Sequence, residues 1–298
     1  MADENGKSKR SYAELMALTK SRASGATANK LDKDDAPDTL PVQMFLPGVD
    51  EFMRAMPSHI ARSSLFAPVA RGRKKMHDGT VLVSRSDAVI KFKGKQLDES
   101  QADVWLQIMY EATKQPLGEP LVINRAEFLK AIGRNTSGAN YQWFHRTMED
   151  LAFAMLVIEV TKDGKPKLTI GKTRAIHMIE GFDYDDVLED YMLRVDPRWH
   201  KMYGNREFAL IDWDKRMQFG KHQDMAKALQ RLIAASSDPI QYFQLEWLKG
   251  KLEYSSPLRK FREALTVSMR ELERLEIVAK WKIGQNTKGK EQLTVCLA

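Results

Sequence analysis

Cysteine is nearly absent from this chain of 298 residues: Cys296 stands alone, which excludes an internal disulfide framework and a cysteine cluster for zinc. Long apolar runs are absent too. No stretch approaches the ~18 residues of a membrane span, and Met1 to Arg10 is polar, without the apolar centre of a signal peptide. Together these point to a soluble protein of a reducing cytoplasm with no membrane partner. The histidines His59, His77, His145, His177, His200 and His222 are isolated from one another, so neither metal-ligand spacing nor the paired histidines of a nicking enzyme are present. Gly171-Lys172-Thr173 has the form of the end of a phosphate-binding loop, but the earlier glycine such a loop needs falls on Pro166. Asp185-Asp186 and Glu189-Asp190 suit an acidic linker facing solvent better than a divalent-ion site. No catalytic residue, metal or cofactor is expected.

What the chain has is clustered positive charge. The formal charge is +7, and from Arg54 to Lys95 ten Lys/Arg face two Asp/Glu. A second stretch, Ser255 to Lys290, has nine against four. Such clusters release counterions from phosphates and give sequence-independent affinity for nucleic acid, although a solvated basic surface has the same composition.

It also has an internal repeat of pattern. Tyr141, Phe144, Met148, Leu151 and Met155 recur at helical spacing, and Val157 to Val160 and Lys167 to Ile170 then flank a turn at Lys162 to Lys165. Further on, Leu258, Phe261, Leu265, Ser268 and Leu272 make the same stripe, followed by strands at Ile277 to Lys282 and Glu291 to Val295. A short helix with an apolar pair precedes each long one, Leu129 with Ile132 and Leu245 with Leu248. A further amphipathic helix comes before that. Helix, helix, helix, hairpin is the order of a winged helix, so the expected fold class is α+β: two tandem winged-helix domains with a partly disordered N-terminal arm.

The expected boundaries follow from composition. Residues 1–40, poor in apolar side chains, read as a disordered tail with a local helix from Tyr12 to Thr19. Residues 41–78 read as a partly ordered arm, because Met44, Phe45, Leu46, Phe52 and Met53 are too apolar for a linker. Residues 79–182 form the first winged helix, with candidate strands Val81 to Ser84 and Ala88 to Phe92. Its helices open on capping boxes, Asp98 with Gln101 and Asn124 with Glu127. Residues 183–211 are an acidic connector with strands at Tyr191 to Val195 and Phe208 to Ile211. Residues 212–298 form the second winged helix, whose last long helix starts at Ser256-Pro257, a cap followed by proline at the first helical position.

Opposite the apolar stripes lie Gln142, His145, Arg146 and Glu149 on the first long helix, and Arg259, Arg262, Glu263, Thr266 and Arg270 on the second. Arginine meets guanine and glutamine meets adenine in a major groove, so these are the candidate base readers. One such face alone is more often an ordinary solvated surface; two, each followed by a basic hairpin, favour DNA. Lys162, Lys165 and Lys167 on one hairpin and Lys282, Lys288 and Lys290 on the other are the candidate phosphate contacts. Arg71, Arg73, Lys74 and Lys75 complete the candidate DNA-binding set.

Arg62-Ser63-Ser64-Leu65-Phe66, Leu97-Asp98 with Asp103-Val104-Trp105, Gln115-Pro116-Leu117-Gly118-Glu119 and Trp143-Phe144-His145-Arg146-Thr147 resemble segments of TrfA-type plasmid replication initiators. The resemblance covers roughly residues 40–295, is strongest from Arg62 to Leu156 and thins to Phe261-Arg262 in the second half. It implies a bacterial protein that binds directly repeated double-stranded origin sites (iterons) as a monomer and helps melt adjacent AT-rich DNA, with single-stranded origin DNA as a further ligand. It also implies host DnaA, replicative helicase and sliding clamp as partners, and weak self-association in a form that does not initiate. Gln43, Met44 and Leu46 resemble the Gln-Leu-x-Leu-aromatic docking segment of that family, with Pro47 where the aromatic would stand; the other reading is that they pack on the first domain. A dimeric repressor on an inverted repeat is the alternative function.

Overall fold

The computed structural model describes residues 44–69, 74–162, 165–171 and 175–298, apart from the side chains of Lys162, Pro166, Asn205 and Arg206. The tail to residue 40, Gln43, Arg71 and Arg73 lie outside the described residues. The chain runs β1 (Met53–Pro57), α1 (Ser58–Ala61), β2 (Phe66–Ala67), β3 (Met76–Val81), β4 (Ala88–Lys95), β5 (Leu97–Asp98), α2 (Glu99–Glu111), β6 (Leu121–Asn124), α3 (Arg125–Ala131) and α4 (Gly138–Phe153). There follow β7 (Met155–Lys162), β8 (Lys165–Ile170), β9 (Ile176–His177), β10 (Gly181–Asp185), β11 (Asp190–Arg194), a 3-10 segment (Pro197–Arg206) and β12 (Phe208–Asp212). The chain ends with α5 (Trp213–Met217), α6 (Asp224–Ala234), β13 (Ile240–Gln244), α7 (Leu245–Lys251), α8 (Leu258–Arg274), β14 (Val278–Gln285) and β15 (Glu291–Leu297). The fold is mixed α+β.

The helix starts are largely those that local chemistry dictates. Asp98 accepts the Gln101 N–H at 2.9 Å while Gln101 Oε1 accepts the Asp98 N–H at 3.0 Å, a complete capping box opening α2. Asn124 caps α3 through the N–H groups of Ala126 (3.1 Å) and Glu127 (3.2 Å). At α8 the expectation is off by one residue: Pro257 itself holds the cap position and the helix begins at Leu258.

Two apolar cores result. One gathers Trp105, Phe144, Ile158 and Trp199, and the other Leu229, Phe261, Leu265 and Leu293. The order helix, strand, helix, helix occurs twice, as α2-β6-α3-α4 and α6-β13-α7-α8, each followed directly by a hairpin, β7–β8 and β14–β15. In the second half the sheet order is β13-β15-β14. In the first it is β6-β11-β10, with Leu121 opposite Leu193 and Tyr191 opposite Tyr184. The hairpin equivalent to β14–β15 is therefore β10–β11, which the sequence reading placed in an acidic connector. The lysine-bearing β7–β8 hairpin joins a different sheet, β3-β4-β7-β8, with β9 also on β7. Asp183 and Asp185 face outward in strict alternation with half-buried Phe182 and Tyr184, so the acidic segment satisfies a strand's two-residue period despite its composition.

The arm also differs from expectation. β1 pairs antiparallel with β12, Met53 opposite Asp212, and Leu46, Met56, Ile60, Leu65 and Phe66 are buried in the first core. Those apolar residues make residues 44–69 part of the folded body, because leaving them in water would forfeit on the order of 1.5–3 kcal/mol each. The glycine of Gly171-Lys172-Thr173 has a structural explanation as well. Its φ is +85°, and a Cβ there would sit 2.5 Å from the Leu156 carbonyl oxygen, so only glycine fits the end of β8.

Between the cores lies a layer of charge. Glu99 and Asp103 of α2 meet Arg216 of α5 and Arg231 and Lys227 of α6. Glu99, Arg216 and Arg231 are fully buried.

Candidate nucleic-acid interface

The second half presents the stronger candidate surface. On α8, Phe261, Leu265, Met269 and Leu272 are buried, which turns Arg259, Arg262, Glu263 and Arg270 to solvent, with Thr266 half-buried beside them. Arg262 is tied to Glu291, which opens β15 beside the turn of the β14–β15 hairpin, and the Thr266 hydroxyl donates to the Arg262 carbonyl at 2.9 Å. Arg259 and Arg270 form no ion pair among the described residues. Lys282, Lys288 and Lys290 are exposed and likewise unpaired there. The hairpin tip is closed by side-chain to backbone bonds: Asn286 Oδ1 accepts the N–H groups of Lys288 (2.9 Å) and Lys290 (3.0 Å), and Gly289 takes φ +70°. Trp281 Nε1 donates to Glu273 at 3.2 Å, bracing hairpin against helix. The sequence reading passed over Lys280, which shares the face of Lys282; the two-residue period of a strand would have found it.

The first half is less basic at the matching place. Gln142, Arg146 and Glu149 of α4 are exposed. Arg146 Nε donates to the Gln142 carbonyl at 3.2 Å, leaving its terminal nitrogens unassigned among the described contacts. His145 is half-buried, with Nδ1 3.0 Å from the Tyr191 hydroxyl and its ring edge-on to Phe182 at 5.5 Å. It packs α4 onto β10–β11 rather than facing outward. Burial, reinforced by the Tyr184 hydroxyl, pushes the Tyr191 pKa up to about 12, so the phenol keeps its proton in that contact. The hairpin itself turns on acid: Asp185 Oδ1 accepts the N–H groups of Val187 (2.8 Å) and Leu188 (2.9 Å), and Glu189 pairs with Arg125. Asp183, Asp185 and Asp186 are exposed, which disfavours phosphate close to this hairpin.

The other candidate cations divide. Lys165 is exposed on β8, Lys167 is ion-paired with Glu207, and the Lys162 side chain lies outside the described residues. These lysines belong to the β3-β4-β7-β8 sheet and not to a hairpin beside α4. Lys74 is held by Asp98 at 2.6 Å and Lys75 by Glu253 at 2.6 Å, so both brace the fold. In the proposed docking segment, the Met44 carbonyl accepts the Leu117 N–H at 2.7 Å and Leu46 is 4% exposed, which ties both to the core.

Two exposed helical faces, one strongly basic hairpin and no group of three or more metal-ligating side chains among the described residues make up this surface. No described helix is long and apolar enough to cross a membrane. No protein-family model matches the chain. The chain is similar to the plasmid replication initiator protein TrfA of Escherichia coli, 29% identical over 92 residues, which are 30% of this chain and 24% of that protein. The resemblance read from the sequence thus extends to a curated protein, of which this chain matches about a quarter. Among solved structures it is similar to a selenomethionine derivative of domains 2 and 3 of RctB, at 13% identity and TM-score 0.49 over 81% of this chain and 98% of that one. A second structure of RctB domains 2-3 gives 13% identity and TM-score 0.44 over 81% of this chain and 97% of the other.

Proposed function

We propose that this chain is a plasmid DNA replication initiator that binds directly repeated origin sites through two winged helices, promotes opening of the origin and recruits host replication proteins. The observation that carries the reading is the paired three-stranded order, β6-β11-β10 and β13-β15-β14, each behind a long helix with an exposed polar face. Similarity to a plasmid replication initiator supports it. In this reading α8 enters a major groove with Arg259 and Arg270 at base edges, while Lys280, Lys282, Lys288 and Lys290 hold phosphates. The α4 head reads through Gln142 and Arg146, and its acidic hairpin stays clear of the backbone. DnaA, the replicative helicase and the sliding clamp are the host partners that the TrfA resemblance brings. No catalytic chemistry, cofactor or metal is assigned, and the site of action is the bacterial cytoplasm.

Two heads on successive major grooves, ~34 Å or ~10 bp apart, cover about 20 bp per chain. Footprinting on the replication region of the parent plasmid should therefore protect direct repeats of about that length. Sedimentation should find one chain on a single repeat; an obligatory pair of chains on an inverted repeat would identify a dimeric repressor instead.

Phosphate and base contacts separate by salt. Lys288→Ala should weaken specific and random DNA alike and lower the salt slope by ~0.9. Arg259→Ala should cost ~1–3 kcal/mol on the correct repeat and far less on a scrambled one. Titrations over a salt series read both, and an equal loss on matched and scrambled DNA for Arg259→Ala would remove α8 from the groove.

A further inference from the structure

The β13 strand closes one end of its sheet, so one of its two edges has no partner strand among the described residues. The Leu297 N–H donates to the Pro239 carbonyl at 2.9 Å, and the register places Gln241 opposite Val295 and Phe243 opposite Leu293. In an antiparallel ladder alternate residues exchange bonds with the neighbour, so Pro239, Gln241 and Phe243 face β15. The backbone groups of Ile240, Tyr242 and Gln244 therefore face away from the sheet. Edge strands are commonly blunted by charge, and β14 at the other end carries Lys280 and Lys282; β13, reading Ile-Gln-Tyr-Phe-Gln, carries none.

This open edge lines a cleft of about 530 Å³. The first half contributes Arg62 and Arg85 to it, and the second half Tyr242, Phe243 and Trp247. Phe243 and Trp247 stack at 6.3 Å with their planes 13° apart, a half-buried apolar floor beside the strand. Arg85 is exposed in the β3–β4 turn, and neither it nor Arg62 forms an ion pair among the described residues. Asp238 also lines the cleft but is engaged by the Ser236 hydroxyl at 2.8 Å, and Arg62 Nη2 donates to the Ala235 carbonyl, which leaves the remaining Arg62 nitrogens and the exposed Arg85 guanidinium facing one carboxylate.

We propose that this cleft docks an extended acidic peptide of a partner protein, which adds a strand to β13, sets its apolar side chains on Phe243 and Trp247 and its carboxylates against Arg62 and Arg85. Strand addition takes affinity from main-chain bonds and selectivity from alternate side chains, which matches an uncharged edge beside a basic wall. No residue of α8, β14 or β15 lines the cleft, so peptide docking leaves the candidate DNA-binding side chains uncovered.

The test uses the full chain and a fluorescein-labelled octapeptide alternating glutamate with valine, with its glutamine analogue and a dT oligonucleotide of equal length as comparisons. Fluorescence anisotropy should show saturable binding of one acidic peptide per chain. Arg85→Glu, an exposed position, should weaken it at least 10-fold, and Tyr242→Pro, which removes an outward amide, should do the same. On the unaltered protein, hydrogen exchange should slow at Ile240, Tyr242 and Gln244 when peptide is added, and stay unchanged at Gln241 and Phe243. Equal binding of the glutamine analogue would overturn the proposal. So would loss of dT binding rather than peptide binding in Arg85→Glu, which would make the cleft a single-strand site. A free chain that sediments as a pair, and as a single copy once Arg85 is changed, would assign the edge to self-association.

Discussion

Replacing Glu99 by alanine should destabilise the protein by about 3–5 kcal/mol, the cost of breaking a buried ion pair from one side. Both carboxylate oxygens are used: Arg231 spans them, and Arg216 Nη2 reaches Oε2 at 2.9 Å. Burial alone would raise the Glu99 pKa, yet Arg231 and Arg216 hold it below the ordinary carboxylate range. Alanine would leave two fully buried guanidinium groups facing a void. Arg216 would keep Asp103 at 2.6 Å and Arg231 would keep the Phe66 carbonyl at 3.0 Å, but neither contact replaces the lost charge. Glu99→Gln keeps the volume and removes the charge, so it should fall near the alanine variant if electrostatics dominate. Chemical denaturation monitored by tryptophan fluorescence measures both. A loss under ~1 kcal/mol for either variant would show that the layer is solvated in solution.

This layer bears on function because it fixes one half against the other. Glu99 and Asp103 come from α2, which opens the first helix-strand-helix-helix run, Arg231 from α6, which opens the second, and Arg216 from α5 just before it. In the proposed two-headed reading, holding the heads in register would make the second groove contact intramolecular, which can raise overall affinity by 10²–10⁴ over either head alone. The Glu99 variants should accordingly lose affinity for a whole repeat while each half-repeat is bound much as before.

The helices and their exposed faces were legible in the sequence because a 3.6-residue period is a local property. Phe144, Met148 and Leu151 in α4, and Phe261, Leu265 and Leu272 in α8, are buried as their spacing requires. Pairings between distant segments were not legible. The β1 strand finds its partner at Phe208 to Asp212, and nothing near Met53 marks it as a strand. The first hairpin lies where its pattern put it, Ile158 opposite Ile170, but the sheet it joins was hidden for the same reason: β7–β8 follows α4 and is rich in lysine, while β11, the strand that pairs with β6, lies beyond β9 and β10 in an acidic stretch. The charged layer was missed because Glu99, Asp103 and Arg231 sit on helices where charge usually means solvent. Arg231 lies in the same turns as Leu229, Leu232 and Ile233, and only packing against α2 turns it from surface into interior.

Lys251, at the end of α7, should make stability rise with pH above neutrality, the same direction as the escape from acid denaturation but in a higher pH range. Its side chain is fully buried, and Nζ has no hydrogen-bond partner among the described residues. Burial first and the charge of Arg231 second press its pKa from 10.5 to about 7, with Glu99 pulling the other way. Below about pH 7 both folded and unfolded chains carry the proton, and the folded state bears the full penalty of the buried cation. Between about 7 and 10.5 the unfolded chain binds a proton that the folded chain has released, so stability climbs as pH rises. A tenfold change in proton affinity corresponds to ~1.4 kcal/mol, which makes the penalty several kcal/mol at neutral pH. Lys251→Met keeps the length of the side chain and removes the charge. It should therefore raise stability at pH 7 by that amount and flatten the climb. Denaturation midpoints of the parent and Lys251→Met between pH 6.5 and 10 decide the matter: the two curves should converge as pH rises, and parallel curves would mean that Lys251 reaches water.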